Sequence, residues 1–181
     1  MKRRDYFPGT RWLALLLCLL LPLPIAAEQT SLRPPLPPPE RLVPAYCEHV
    51  VDGDTAWFEV VEDGIPITHK VRFLNIDTPE TVHPDMDVQP GGPEASAYVK
   101  AALEGQEVWL EYDIDRLDKY DRQLCHVWLK DGVLFNLRLL EEGFARVTFY
   151  EHNFRYNKFF IAAEIAAKAE GLGLWKSTNG K

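Results

Sequence analysis

Between residues 45 and 130, apolar and β-branched positions alternate with polar ones in short runs: Tyr46–Val51, Thr55–Glu62, Ile67–Ile76, Glu107–Tyr112 and Leu124–Leu129. A period of two marks a strand with one buried face. The breaks between runs are rich in glycine, proline and aspartate and read as turns. Three other stretches place apolar residues three and four apart and are followed by glycine: Pro93–Glu104 before Gly105, Asn136–Glu142 before Gly143, and Arg155–Glu170 before Gly171. Glycine just past the last turn lets a helix end in a left-handed residue. In the third stretch Phe159, Ala162, Ala163, Ala166 and Ala169 predict an apolar stripe packed on the rest of the domain. Five short strands and three helices predict an α+β domain built on a small barrel over residues 45–177, with 178–181 as a tail.

The chain upstream has a different character. Lys2, Arg3, Arg4 and Arg11 precede the apolar run WLALLLCLLLPLPIAA, which closes on Ala26 and Ala27. Basic residues, an apolar stretch and small residues in that order read as an export signal over residues 1–27. The run from Trp12 to Ala27 contains Pro22 and Pro24 and is 16 residues long, short of the roughly 20 that span a bilayer. Residues 28–44 carry Pro34, Pro35, Pro37, Pro38, Pro39 and Pro44, a composition that predicts an extended polyproline linker. The expected location is secreted or periplasmic, with no membrane span once the signal is removed.

Charge and cysteine usage narrow the chemistry. Lys and Arg total 20 against 27 Asp and Glu, a net charge of −7 that becomes −10 without residues 1–27. A broad basic surface for gripping nucleic acid is excluded, so such a role needs a local site. Three cysteines outside any CxxC and five scattered histidines match no zinc or haem pattern, so a metal here would be held by oxygen. Cys47 and Cys125 remain after signal removal and have two readings, a bridge permitted by an oxidising compartment or two buried thiols.

The candidate chemistry sits in three places. Asp52-Gly53-Asp54-Thr55 separates two strand runs, and Asp77-Thr78-Pro79-Glu80 follows the third. Each is also an ordinary turn sequence, but two carboxylate-rich turns at strand ends can meet and offer oxygens to a hard divalent ion. Arg72 falls on the strand face shared by Leu74 and Ile76, and Arg122 on the face of Leu124, after the loop Asp115–Asp121. An arginine on an apolar face needs an anion, either a neighbouring acid in a structural ion pair or a bound phosphate.

The ordered motifs VVDGDT, VRFLNIDTPET, HP, GGPEAS and DKYDR resemble the staphylococcal nuclease (thermonuclease) family of secreted calcium-dependent nucleases over about Val50 to Trp175. The resemblance implies a five-stranded OB-fold barrel with three packed helices. It makes Asp54 and Asp77 carboxylate ligands of Ca²⁺, with the backbone carbonyl of Thr78, and it makes Glu80 the general base and Arg72 and Arg122 the phosphate-binding pair. Endonucleolytic cleavage of DNA and RNA to 3′-phosphate products follows from it. No stable protein partner is implied, and a monomer is expected. Single strands are the expected substrate, because a flexible strand lets a phosphate enter a cleft while a base stacks on an aromatic ring. Tyr120, Phe149 and Tyr150 are the candidate platforms. Phe149 falls about where the family has a base-contacting tyrosine, a one-residue insertion near Lys130 leaves Tyr150 equally placed, and Lys119 is expected at a terminal phosphate. The chain departs from the family in having Asp121 before Arg122, where glycine is common, and Asp85 and Asp87 in a loop that often carries lysines. The rival class is a catalytically silent OB-fold module binding nucleic acid or a protein. Retention of Arg72, Glu80 and Arg122 favours the enzyme.

Overall fold

Alternation in the first half of the chain is realised as a barrel. The computed structural model describes residues 33–82 and 87–176. The expected export signal, the start of the linker, residues 83–86 of the acidic loop and the tail 178–181 lie outside them. Strands β1 (Val43–Val50), β2 (Thr55–Glu62), β3 (Ile65–Phe73), β5 (Glu107–Leu117) and β6 (Gln123–Leu129) close in the order β1-β2-β3-β6-β5. All neighbours are antiparallel except β3 and β6, which run parallel over three residue pairs only. With helices α1 (Gly92–Leu103), α2 (Phe135–Glu141) and α3 (Asn157–Glu170), this is the α+β OB-type architecture expected. Two-residue strands β4 (Ile76–Asp77) and β7 (Arg146–Val147) pair with each other outside the barrel.

The barrel is filled by the inward residues of each strand. Phe58, Val71, Phe73, Leu110, Cys125 and Val127 are fully buried, and each buried phenylalanine contributes about 1.5–3 kcal/mol of hydrophobic stabilisation. Phe73 packs edge-on against Phe135 of α2 at 6.4 Å, which fixes that helix on the barrel. Cys47 and Cys125 are both buried free thiols, and burial pushes the Cys47 thiol up to about 12. The bridge reading does not hold.

Three expectations are displaced. First, β3 stops at Phe73 rather than Ile76. Asn75 takes a left-handed φ of +60° and is fully buried, so the chain turns out of the sheet and Asp77 pairs with Arg146 instead. The shared face of Arg72, Leu74 and Ile76 is therefore not a strand face, although Arg72 still alternates along β3 with the core residues Val71 and Phe73. Second, β1 begins at Val43, within the stretch read as linker, and Pro34 and Pro37 are buried. Third, α3 buries Phe160, Ala163 and Ala167, which keeps Ala163 of the predicted stripe but turns the rest by one residue, because Phe160 fills the core. Phe159, Ala162 and Ala166 line a groove beside Leu137 of α2. Among the described residues no helix is long and apolar enough to cross a membrane.

Candidate active site

The two acidic turns meet where β2 begins and β4 ends. Asp54 is 6% exposed. Its Oδ1 accepts the Thr55 hydroxyl at 3.0 Å, and its Oδ2 accepts the backbone N–H of Thr78 at 3.0 Å and the Thr78 hydroxyl at 3.2 Å. One carboxylate thus latches together turns 24 residues apart. The Asp54 N–H donates to Asp52 Oδ1 at 3.0 Å, which rigidifies the first turn from within.

Arg72 spans the junction, with its side chain 7% exposed. Nη1 donates to the carbonyls of Phe73 (2.8 Å) and Ile76 (2.7 Å), while Nη2 donates to Asp77 Oδ1 (2.9 Å) and lies 3.1 Å from Asp54 Oδ2. The same guanidinium therefore closes the Leu74–Asn75 turn and gathers both acids. The turn is braced from behind by Asn136 of α2, whose side-chain amide donates to the Leu74 carbonyl at 3.0 Å. Of the two readings of Arg72 the ion pair is seen directly, and its partners Asp54 and Asp77 are the two acids expected to hold a metal.

Arg122 comes from the β5–β6 turn. Asp118 accepts its Nε at 2.7 Å and its backbone N–H at 3.0 Å, and the described bonds leave its two terminal nitrogens without a protein acceptor. Asp121 before it sits at φ +58°, so aspartate takes the left-handed position where the family often has glycine. Glu80 Oε1 accepts the N–H groups of Thr81 and Val82, each at 3.0 Å, which orients the carboxylate while the described bonds leave Oε2 without a donor.

Asp54, Asp77, Thr78, Glu80, Arg72 and Arg122 line one open cleft of about 350 Å³, with Tyr120 at its edge. Tyr120 is 66% exposed and lies under the Arg122 guanidinium, 5.5 Å from the ring, and Lys119 sits over the same ring at 4.9 Å. Tyr150 is half-buried, and its phenol is raised by that burial against the pull of the nearby Arg72 and Arg122. Phe149 is 64% exposed, and Phe149, Tyr150 and Lys119 all lie outside the residues that line the cleft. The cleft adds Asp52, which the sequence marks only as part of a turn. Its place one residue from Gly53 in the DGD triplet was the available signal.

The electrostatics describe a site short of positive charge. Loss of solvent, and then the neighbouring Asp54 charge, push Asp52 up to about 6. Asp77 is shifted upward too, by burial against the pull of Arg72. Like charges held together out of water favour a bound cation. The donors are carboxylate and carbonyl oxygens, which suit a hard divalent ion such as Ca²⁺. Among the described residues no three His, Cys, Asp or Glu side chains form a ready-made metal cage. An ion here would thus complete its shell with a backbone carbonyl, water and substrate oxygens.

Known proteins resemble this chain over most of its length. The family profile Staphylococcal nuclease homologue matches residues 70–177. A thermonuclease of Staphylococcus intermedius is 41% identical over 129 residues, covering 71% of this chain and 74% of that protein. The thermonuclease of Staphylococcus hyicus is 39% identical over 128 residues, with 71% and 73% coverage. Endonuclease YncB of Bacillus subtilis is 39% identical over 141 residues, covering 77% of this chain and 64% of that protein. With the barrel, the helices and the acidic cleft already in place, these matches establish that the chain belongs to the staphylococcal nuclease family and is a nuclease.

Proposed function

We propose that the chain is an exported, calcium-dependent endonuclease that hydrolyses DNA and RNA, preferring single strands and leaving 3′-phosphate ends. The observation that carries the reading is the convergence of an acid pair, two guanidinium groups and a separately oriented glutamate on one cleft. Phosphodiester hydrolysis needs a positioned water, an acceptor for its proton and positive charge near the developing phosphorane oxygens.

Each residue has a role that its surroundings support. Asp54, Asp77 and the Thr78 carbonyl would hold Ca²⁺, which when bound acidifies a water and neutralises charge on the phosphate. Glu80, fixed through Oε1, presents Oε2 to take the proton from the attacking water. Arg122, whose guanidinium Asp118 holds through Nε, offers its two terminal nitrogens to the phosphate as a bidentate fork. Arg72 holds the acids and stands beside them as the second positive group. The carboxylates it pairs with are also the ones a cation would claim, so ion binding and release of Nη2 toward a phosphate are coupled. Tyr120 and Tyr150 are the better stacking candidates. Phe149, 64% exposed, also presents an open ring and stays a candidate platform.

The test is direct. The purified protein is incubated with heat-denatured DNA, with Ca²⁺ or with a calcium-selective chelator, and product ends are mapped by their sensitivity to phosphatase. The expected result is chelator-sensitive cleavage leaving 3′-phosphates. Equal cleavage with the chelator would remove the calcium assignment, and 5′-phosphate ends would remove the bond assignment.

A further inference from the structure

The outer face of the barrel continues from the cleft along β2 and β3. On β2, Thr55, Trp57 and Glu59 alternate with the core residues Ala56, Phe58 and Val60. On β3, Lys70 and Arg72 alternate with the core residues Val71 and Phe73. The register pairs Thr55 with Arg72 and Trp57 with Lys70, so Trp57 and Lys70 form the next row of the face that carries Arg72. The two rows stand two residues apart, about 7 Å along the strands. His49 of β1 lies opposite Trp57 on its other side.

Trp57 is 37% exposed although it sits in the middle of a barrel strand. The Lys70 ammonium lies over the ring, 6.0 Å from its centroid, at the outer limit of a cation–π contact, so the indole holds it only loosely. An open aromatic ring beside a cation is the chemistry that holds one base and one phosphate of a single strand. We propose that Trp57 and Lys70 form an accessory nucleotide subsite, in which a base stacks on the indole and its phosphate pairs with the ammonium, next along the strand from the phosphate at Arg72. The following row pairs Glu59 with Tyr46 and Thr68. That carboxylate ends the basic run and limits the subsite to a single nucleotide. The subsite gives a chain of net charge −7 a local grip on a polyanion that its overall field does not supply.

The proposal rests on the nuclease reading of the Arg72 cleft, and its test separates the two. Steady-state cleavage by the wild type, Trp57→Ala, Trp57→Phe and Lys70→Ala is measured on a single-stranded octanucleotide and on a nucleoside aryl phosphodiester, which has a cleavable bond but one base. Trp57→Ala is expected to raise the ratio of octanucleotide KM to aryl diester KM about ten-fold, within the range for losing one stacked base, with Trp57→Phe restoring most of it. Lys70→Ala is expected to lower the slope of log KM against log salt on the octanucleotide by about 0.7, the increment of one phosphate contact on a single strand. A KM ratio unaltered by Trp57→Ala, or an unchanged salt slope in Lys70→Ala, overturns the subsite. A wild type that cleaves neither substrate overturns the nuclease reading instead.

Discussion

Gly53 sits so close to Thr78 that a Cβ built on it would fall 2.6 Å from the Thr78 hydroxyl oxygen and 2.9 Å from the Thr78 methyl. The φ of Gly53 is not left-handed, so what the position demands is empty space. The two acidic turns approach each other because residue 53 has no side chain. Gly53→Ala should push them apart and strain the bonds from Thr78 to Asp54. Calcium affinity should drop by about ten-fold or more, the usual cost of disturbing the groups that orient a metal ligand. Isothermal titration with calcium chloride reads this directly, and an unaltered affinity would mean that the two turns do not share one ion.

Glu80 is held through Oε1 by two backbone N–H groups, so Glu80→Gln can keep that anchor through its amide oxygen while losing the ability to accept a proton. Turnover should fall by at least about 10²-fold, as for the loss of a general base, and calcium affinity and the unfolding midpoint should stay near wild type. A variant with full kcat would take Glu80 out of the reaction.

Much of this site was legible in the chain, because its motifs are local. Asp54, Asp77, Thr78 and Glu80 lie on turns whose composition announces them, and Arg72 stood out as a charge flanked by apolar strand residues. The barrel was equally readable, since alternation and the glycines after each helix record burial and chain reversal directly. Three things were hidden for physical reasons. The exit of the chain at Asn75 is a tertiary event: a left-handed asparagine is stable there because its amide reaches the Asn153 carbonyl, 78 positions away. The orientation of α3 turns on which of two adjacent phenylalanines enters the core, and periodicity over Phe159 and Phe160 cannot separate them. Trp57 reads as a routine strand aromatic until the register places it beside Lys70 and one row from Arg72.

Arg122 is tethered by Asp118 through Nε and the backbone, which leaves a planar pair of nitrogens to meet a phosphate. Lysine in its place would keep the charge but lose both the tether geometry and the bidentate contact. Arg122→Lys and Arg122→Ala should therefore lose activity to a similar extent, within about ten-fold of each other, in kcat/KM on single-stranded DNA. A lysine variant as active as wild type would reduce Arg122 to a generic positive charge.

His126 of β6 has no exposed surface, neither ring nitrogen hydrogen-bonded, and its ring edge-on to Tyr156 at 4.8 Å and to Phe160 of α3 at 5.9 Å. Burial, and then the nearby Arg155 charge, lower it from 6.5 to about 3. Between those two values the unfolded chain binds a proton that the folded chain refuses, so stability is complete above pH 6.5 and is lost as pH falls toward 3. The slope approaches about 1.4 kcal/mol per pH unit once the unfolded imidazole is fully charged. Phenylalanine can keep both edge-on contacts and orphans no hydrogen bond. His126→Phe should thus match the wild type within about 1.5 kcal/mol at pH 7 and lose distinctly less stability between pH 7 and pH 4.5. Urea unfolding at the two pH values isolates this group, because the carboxylates titrate alike in both proteins. Parallel losses in the two would show that His126 is not the residue that makes the fold acid-sensitive.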